Sequence, residues 1–368
     1  MDNSSLTKVL LAAGLVCNSF LLMAQEAKPD SAASKNWTFT AGLDAYSAFN
    51  TNRPPDSVNE LRNFDLNSGS AHLNAASLGI EYKSDYFGAH FDGGYGDMFK
   101  TIAATDAWKG PNQYVMQGYI SILPWKQNGL QIDIGKFYSS IGAEVPDTLS
   151  NFNYSRSLAF TLGSPYDHFG LRTSLPVTKT LTAGLQLVDG CNDVTDRNKG
   201  RMAILTTAVT HSKWGWNQAF MTGRENAPGL DTAVAAYRNV LDEVVTFAPN
   251  SSVHAYSEGL YGREHRTGFA ADNWYAVAAA MKWDATKKLA FSPRLEFFGD
   301  PAGFNSGTPQ HLHEFTATAE YKIHPLLTAR FEYRRDMSDE PVFSGRNGMS
   351  RSQQTLLVGL IAAWKSER

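Results

Sequence analysis

The chain has 368 residues, 43% of them hydrophobic, 12% aromatic and 19% charged, with 33 Lys+Arg against 36 Asp+Glu, a formal net charge of −3 and only two cysteines. That balance excludes a disordered chain, a disulfide-stapled scaffold and, for want of a basic excess, a nucleic-acid partner. Charge alone names no partner, and all-β barrels run to this length as one unit.

Residues 1–24 read as a secretory signal peptide. Lys8 supplies the positive start, Val9 to Ala24 is apolar apart from Asn18 and Ser19, and Met23-Ala24-Gln25 is the cleavage region. As a retained anchor this stretch is short, because a membrane helix needs roughly 18 apolar residues or more, and no run beyond it reaches that length. Cys17 raises a lipoprotein, but Gly14-Leu15-Val16 lacks the small residue that usually precedes a lipidated cysteine. Once this segment is removed Cys191 is the only cysteine, so no internal disulfide can form. Residues 25–35 are small and polar and read as a disordered lead into a barrel over 36–368.

From Trp37 onward the hydrophobic period is two, the period of strands with unlike faces. Trp37, Phe39, Ala41, Leu43 and Ala45 alternate with Thr38, Thr40, Gly42, Asp44 and Tyr46; Phe87, Ala89, Phe91, Gly93 and Tyr95 oppose His90 and Asp92. Tyr114, Met116, Gly118, Ile120 and Ile122 oppose Gln117, Tyr119 and Ser121. Phe315, Ala317, Ala319 and Tyr321 oppose Thr316, Thr318, Glu320 and Lys322, and Leu327, Ala329, Phe331 and Tyr333 oppose Thr328, Arg330, Glu332 and Arg334. A soluble sandwich would alternate too, so the connections have to decide.

Tight links fall at Ser84-Asp85, Trp125 to Asn128, Pro176 to Thr180, Ser212 to Gly215, Pro249 to Ser251, Asp284 to Lys288 and His324-Pro325. Between them lie longer polar segments, at 50–71, 98–112, 140–166, 191–200, 224–238, 263–272, 299–311 and 337–352. Short and long links alternate strictly, the asymmetry of an outer-membrane barrel with short periplasmic turns and long outside loops. The pattern predicts an all-β, transmembrane, antiparallel up-and-down β-barrel of about 16 strands, with 14 to 18 allowed because parity is unclear between 201 and 249. Leu356, Val358, Leu360, Ala362 and Trp364 make an apolar closing strand, with Lys365 to Arg368 beyond its aromatic end.

Several segments, in order, resemble the outer-membrane beta-barrel porin family of the second type, found in Gram-negative bacteria. They are Leu43-Asp44-Ala45-Tyr46 followed by Asn50 to Pro55, Ile134-Gly135-Lys136-Phe137 followed by Ile141-Gly142-Ala143-Glu144, and Asp167-His168-Phe169-Gly170-Leu171-Arg172. Leu185 to Asn192, where the family usually has an aromatic at the position of Cys191, Leu241 to Phe247 and Arg294-Leu295-Glu296-Phe297 complete the match. The resemblance implies a porin-like barrel of the outer membrane, with no assigned substrate, no cofactor and no catalytic residue. Its partners would be outer-membrane lipid and small hydrophilic solutes or ions, and analogy with 16-stranded general porins raises a homotrimer.

In a porin, function reduces to pore width and lining charge. The polar strand faces offer Asp44, His90, Asp92, Gln117, Asp133, His168, Arg172, Gln186, Glu258, Arg294, Glu296, Arg330, Glu332 and Arg334 as pore-lining candidates, with mutual ion pairing along the wall as the plainer reading. The segment 140–166 is the longest connection and holds Glu144, Asp147 and Arg156 beside the apolar Leu158, Ala159, Phe160 and Leu162. Such a loop seldom lies free in solvent. It is expected to fold inward as a constriction, with Glu144 and Asp147 facing Arg172 and Arg330; an extra strand or an outside lid is the alternative.

Chemical motifs are lacking: there is no HExxH, GxSxG, P-loop or paired CxxC. His311 and His313 read as a loop-to-strand transition and the oxygen-rich Asn192, Asp193, Asp196 and Asn198 as a polar turn, so no metal is expected. A barrel lipase or protease would need Ser155, His168 or His265 brought together, which nothing in the sequence does, and the loops are modest for a surface-binding protein. The expectation is a non-enzymatic channel.

Overall fold

The computed structural model describes residues 36–105, 110–125, 129–194, 200–226 and 235–366. The signal and lead assignments at 1–24 and 25–35, and Asp196 and Asn198 of the oxygen-rich turn, lie outside them.

Sixteen strands close into one antiparallel barrel: β1 (Trp37–Asn50), β2 (Ala71–Lys83), β3 (Phe87–Tyr95), β4 (Val115–Trp125), β5 (Leu130–Tyr138), β6 (Asp167–Pro176), β7 (Leu181–Val188), β8 (Met202–Thr210), β9 (Trp214–Asn226), β10 (Ala235–Asn250), β11 (Val253–Arg266), β12 (Asp272–Asp284), β13 (Leu289–Asp300), β14 (Gln310–His324), β15 (Leu327–Ser338) and β16 (Ser352–Lys365). Each strand pairs with its sequence neighbours, and β1 closes on β16 in a register that sets Leu43 against Ala362 and Tyr46 against Gly359. Closure pairs every strand on both edges, the condition for crossing a bilayer without unsatisfied backbone.

The alternation sorts the side chains. On β1 Leu43 and Phe49 are exposed on the outside while Asp44, Tyr46 and Asn50 are buried inside; on β16 Leu356, Val358 and Leu360 point out while Leu357 and Ile361 point in. Exposed aromatics ring the short-turn end at Trp37, Phe87, Trp125, Trp214, Phe247, Trp283, Phe291, Tyr321 and Trp364, and Tyr95, Tyr237 and Tyr261 mark the opposite rim. These are the two interfacial girdles of a membrane barrel. Ser366 carries the C-terminal pairing past Trp364, its Oγ accepting from the Phe39 N–H at 3.0 Å.

Three local readings are corrected. Tyr114 belongs to a 3-10 turn, Pro111–Tyr114, and β4 starts at Val115. A bulge opposite Asp92 and Gly93 then turns Met116 out of the lipid-facing row, to pack with Phe99 and Ile102. Those two belong to a short helix, α1 (Asp97–Thr105), at the start of the connection 98–112, which reads in the sequence simply as a polar loop; α1 buries Met98, Phe99 and Ile102 against the rim where β3 and β4 are short. Finally, β10 to β12 extend farther than the loop bounds 224–238 and 263–272 allowed, because Arg238 pairs with Glu264 at 2.6 Å and Arg266 with Asp272, so charged residues continue the ladder.

Candidate functional site

The inward face carries the site, and its organising element is the connection between β5 and β6. Ser139 and Tyr166 close its base with a backbone bond of 3.0 Å, and the Asn192 side chain accepts from the Tyr166 N–H at 2.6 Å. Between them the chain makes two short helical turns, Thr148–Ser150 and Ala159–Gly163, and touches inward side chains from β1, β10, β11, β13, β15 and β16.

The wall holds this segment mainly by its backbone. Asp242 accepts from the Gly142 N–H at 2.9 Å and Glu258 from Ala143 at 3.3 Å. Glu332 takes the N–H groups of Tyr154 and Ser155 at 2.6 and 3.0 Å, and Glu296 those of Leu158 and Ala159 at 2.5 and 2.6 Å. The carbonyls go to arginines: Arg330 donates to Thr148, Asn151 and Asn153 at 2.8 to 2.9 Å, Arg294 to Ser155 at 2.8 Å, and Arg334 to Arg156. Charge-assisted bonds of this kind are the strong ones, and they answer the need of an irregular, buried backbone for partners.

Side chains complete the packing. Leu158, Ala159 and Ile141 join an apolar cluster with Met202, Met221, Leu260, Trp274, Phe298 and Leu312 of the wall. Tyr154 stands between Tyr46 and Gly359; a Cβ at Gly359 would fall 2.4 Å from the Tyr154 ring, so only glycine admits it. The Tyr154 hydroxyl donates to Asp44 at 2.7 Å, and burial followed by the Asp44 carboxylate pushes its ionisation well above the usual phenol range. Asp44 also accepts from Thr148 at 2.6 Å and Asn74 at 2.7 Å.

The sequence candidates fall into three groups. Arg294, Glu296, Arg330, Glu332, Arg334, Asp44 and Glu258 are buried inward side chains bonded to the 139–166 segment. Asp133, Arg172, His168 and Gln186 are also buried: Arg172 pairs with Asp133 at 2.7 Å and lies 4.4 Å from the centroid of the Phe137 ring, His168 meets Ser139 Oγ at 3.1 Å and the Gly190 carbonyl at 2.9 Å, and Gln186 donates to Ser140 at 2.8 Å. His90, Asp92 and Gln117 stay half-exposed, with Asp92 2.7 Å from His90 and 3.0 Å from Gln117.

The pairing expected for the segment is corrected. Glu144 bonds Arg294 at 2.8 Å, while Asp147 is exposed and caps its own turn by accepting from Ser150 N at 3.0 Å. Arg172 is taken by Asp133 and Arg330 by Glu320 at 2.8 Å, so neither is available to Glu144 or Asp147. Arg156 turns back on its own segment, donating to the carbonyls of Val145, Tyr154 and Pro146. Sequence reasoning missed Asp242 and Glu81. Asp242 sits beside Glu243 in a stretch of unclear parity, and only the register with β9 and β11 tells which acid turns in.

Cys191, beyond the end of β7, points its sulfur at Met202 and Met221, 3.9 and 3.8 Å away; burial, then the negative Glu225, push its thiol well above the usual range. Among the described residues no group of three or more His, Cys, Asp or Glu is arranged to hold a metal ion.

Comparison with known proteins agrees with this architecture. No curated protein matches the sequence. Among solved structures the chain resembles the in-vitro folded trimer form of OmpT, an outer membrane protein of Vibrio cholerae, with a TM-score of 0.61 and 11% identity over 89% of this chain and 99% of that one. It resembles the anion-selective porin from Comamonas acidovorans, TM-score 0.61 and 9% identity over 89% and 99%, and the outer membrane channel DcaP of Acinetobacter baumannii, TM-score 0.59 and 9% identity over 92% and 100%. At these identities the likeness concerns the fold. The family model described as "Putative beta-barrel porin-2, OmpL-like" matches residues 36–364, nearly the whole barrel, and the chain therefore belongs to that family of outer-membrane porins.

Proposed function

We propose that the protein forms a water-filled channel for passive diffusion of small hydrophilic solutes or ions, narrowed by the 139–166 segment. The observation that carries this reading is the set of wall carboxylates and arginines bonded to the segment's backbone, which makes it a fixed part of the lumen. The conducting path runs down the β2–β4 side. There the inward side chains keep their access to water, at 28% for Asp92, 24% for Glu81 and 19% for His90, whereas Arg294, Arg330 and Arg334 opposite have none. The exposed charges on that wall are Glu81, Asp92 and Lys83, which lies 3.3 Å from Glu81, so the acids outnumber the base and the channel prefers cations.

Planar-bilayer recording of the purified protein under a KCl gradient tests both statements. Stepwise openings with a reversal potential of cation sign are expected, and Glu81→Gln with Asp92→Asn should move that potential toward zero. Well-folded protein without steps would overturn the channel, and an anion-signed potential would overturn the assigned path. The trimer form of the Vibrio cholerae protein supports a homo-oligomer here as well, which we propose is the working form.

A further inference from the structure

Between the two aromatic girdles the outward side chains are apolar on most strands, as at Leu78, Phe91, Ile134, Leu187, Leu295 and Val358. The wall β8–β11 breaks the rule. Its ladder sets Thr207 against Gln218, Gln218 against Glu243 and Glu243 against Gly259, a continuous row on the lipid-facing parity, since Leu205, Phe220 and Leu241 in the next outward row are exposed. Ser257 stands opposite Val245 one outward position below, and Thr222 donates to Asn239 at 2.7 Å two rows above.

Depth makes this row unusual. Glu243 lies four residues from Phe247 at the inner girdle and six from Tyr237 at the outer one. At about 3.4 Å per residue and a tilt of about 40°, it sits about 10 Å inside an apolar band about 25 Å tall. Trp216 Nε1 and Gln218 Nε2 donate to its two oxygens at 2.5 and 2.7 Å, which orients the carboxylate without using its full acceptor capacity. Ionisable groups at such depth are costly against lipid and are covered by protein.

We propose that the β8–β11 wall is the contact surface of the homo-oligomer, and that its occupant is a second copy of this chain. The inference rests on the oligomer reading above and adds which face meets. Subunits related by an axis along the membrane normal meet at equal depth, so the polar row of one faces the polar row of the next. The row is complementary to itself, with the Glu243 carboxylate as acceptor and the hydroxyls of Thr207 and Ser257 and the Gln218 amide as donors. Gly259 leaves open space outside its Cα, a notch beside Glu243 that allows close approach.

The test uses the full mature protein in dodecyl maltoside and in native vesicles. Native mass spectrometry should show an oligomer, and Gln218→Leu with Glu243→Leu should lower the oligomer-to-monomer ratio at least tenfold. A variant carrying Thr207→Cys and Ser257→Cys should cross-link between chains on oxidation, while one carrying Ala319→Cys and Leu360→Cys on the opposite wall should not. If the leucine variant fails to fold, the cross-link carries the same information. Cross-linking through the opposite wall, or an oligomer indifferent to the leucine pair, would overturn the assigned face while leaving the oligomer in place. A monomer in both media would overturn face and oligomer together, and bilayer conductance reports the channel separately.

Discussion

At the scale of single residues, Arg330 shows how charge is spent inside this barrel. Its guanidinium reaches Glu320 and three main-chain carbonyls while fully buried. Breaking a buried pair by removing one partner leaves the other uncompensated, at about 3–5 kcal/mol. Arg330→Met is expected to cost that much in guanidinium unfolding in micelles, whereas Arg335→Met on the exposed outer face should be near neutral. Cys191 gives a second prediction. Burial and Glu225 raise its ionisation, so the nucleophilic thiolate is scarce at pH 7 to 8. Native protein should resist maleimide labelling at pH 7 that goes to completion once the chain is denatured; rapid native labelling would contradict the packing of its sulfur against Met202 and Met221. Neither environment was legible in the sequence. Which arginine meets which acid depends on the register of strands far apart in the chain: Arg294 and Glu144 are 150 residues apart.

At the scale of elements, the segment 139–166 and the strand ladder were legible to different degrees. The ladder announces itself in the period-two alternation and in the strict exchange of short and long links, because both follow from local geometry. The apolar run from Leu158 to Leu162 signals packing but does not name its partners, since these range from Phe64 and Phe137 to Leu312 and Phe343 and depend on closure of the whole ring. The helix α1 left little trace, its nine residues being too few for a clear 3.6-residue period. Deleting 146–162 removes most of the clamped backbone and exposes the wall charges to water. Single-channel conductance is then expected to rise at least about twofold, since flow follows the open cross-section. An unchanged conductance would show that the segment does not narrow the path.

At the scale of the molecule, the barrel has two unlike halves. Strands β5 to β8 run eight to ten residues, while β10, β11 and β14 run 16, 14 and 15, and the side chains that clamp the segment come from β10, β11 and above all β13 and β15. Local opening concentrates where few contacts resist it. Hydrogen exchange in micelles is expected to proceed first through β6 and β7 and last through β10 to β15; uniform protection around the ring would argue against a division into a pliant and a locked half. His90, Asp92 and Glu81 face water on β2 and β3, beside this short-stranded stretch, so the proposed conducting path and the pliant strands are neighbours in the ring. The clamps themselves carry one more consequence. Glu332, Glu296 and Arg330 grip amide hydrogens and carbonyl oxygens, groups that every residue but proline offers alike, so these bonds make no demand on side chains, and the demand comes instead from the packing of Tyr154, Leu158 and Ala159. Asp147, the exposed residue of the segment, makes no bond to the wall, so a substitution there would change the charge the segment shows to water while its seat stays unchanged.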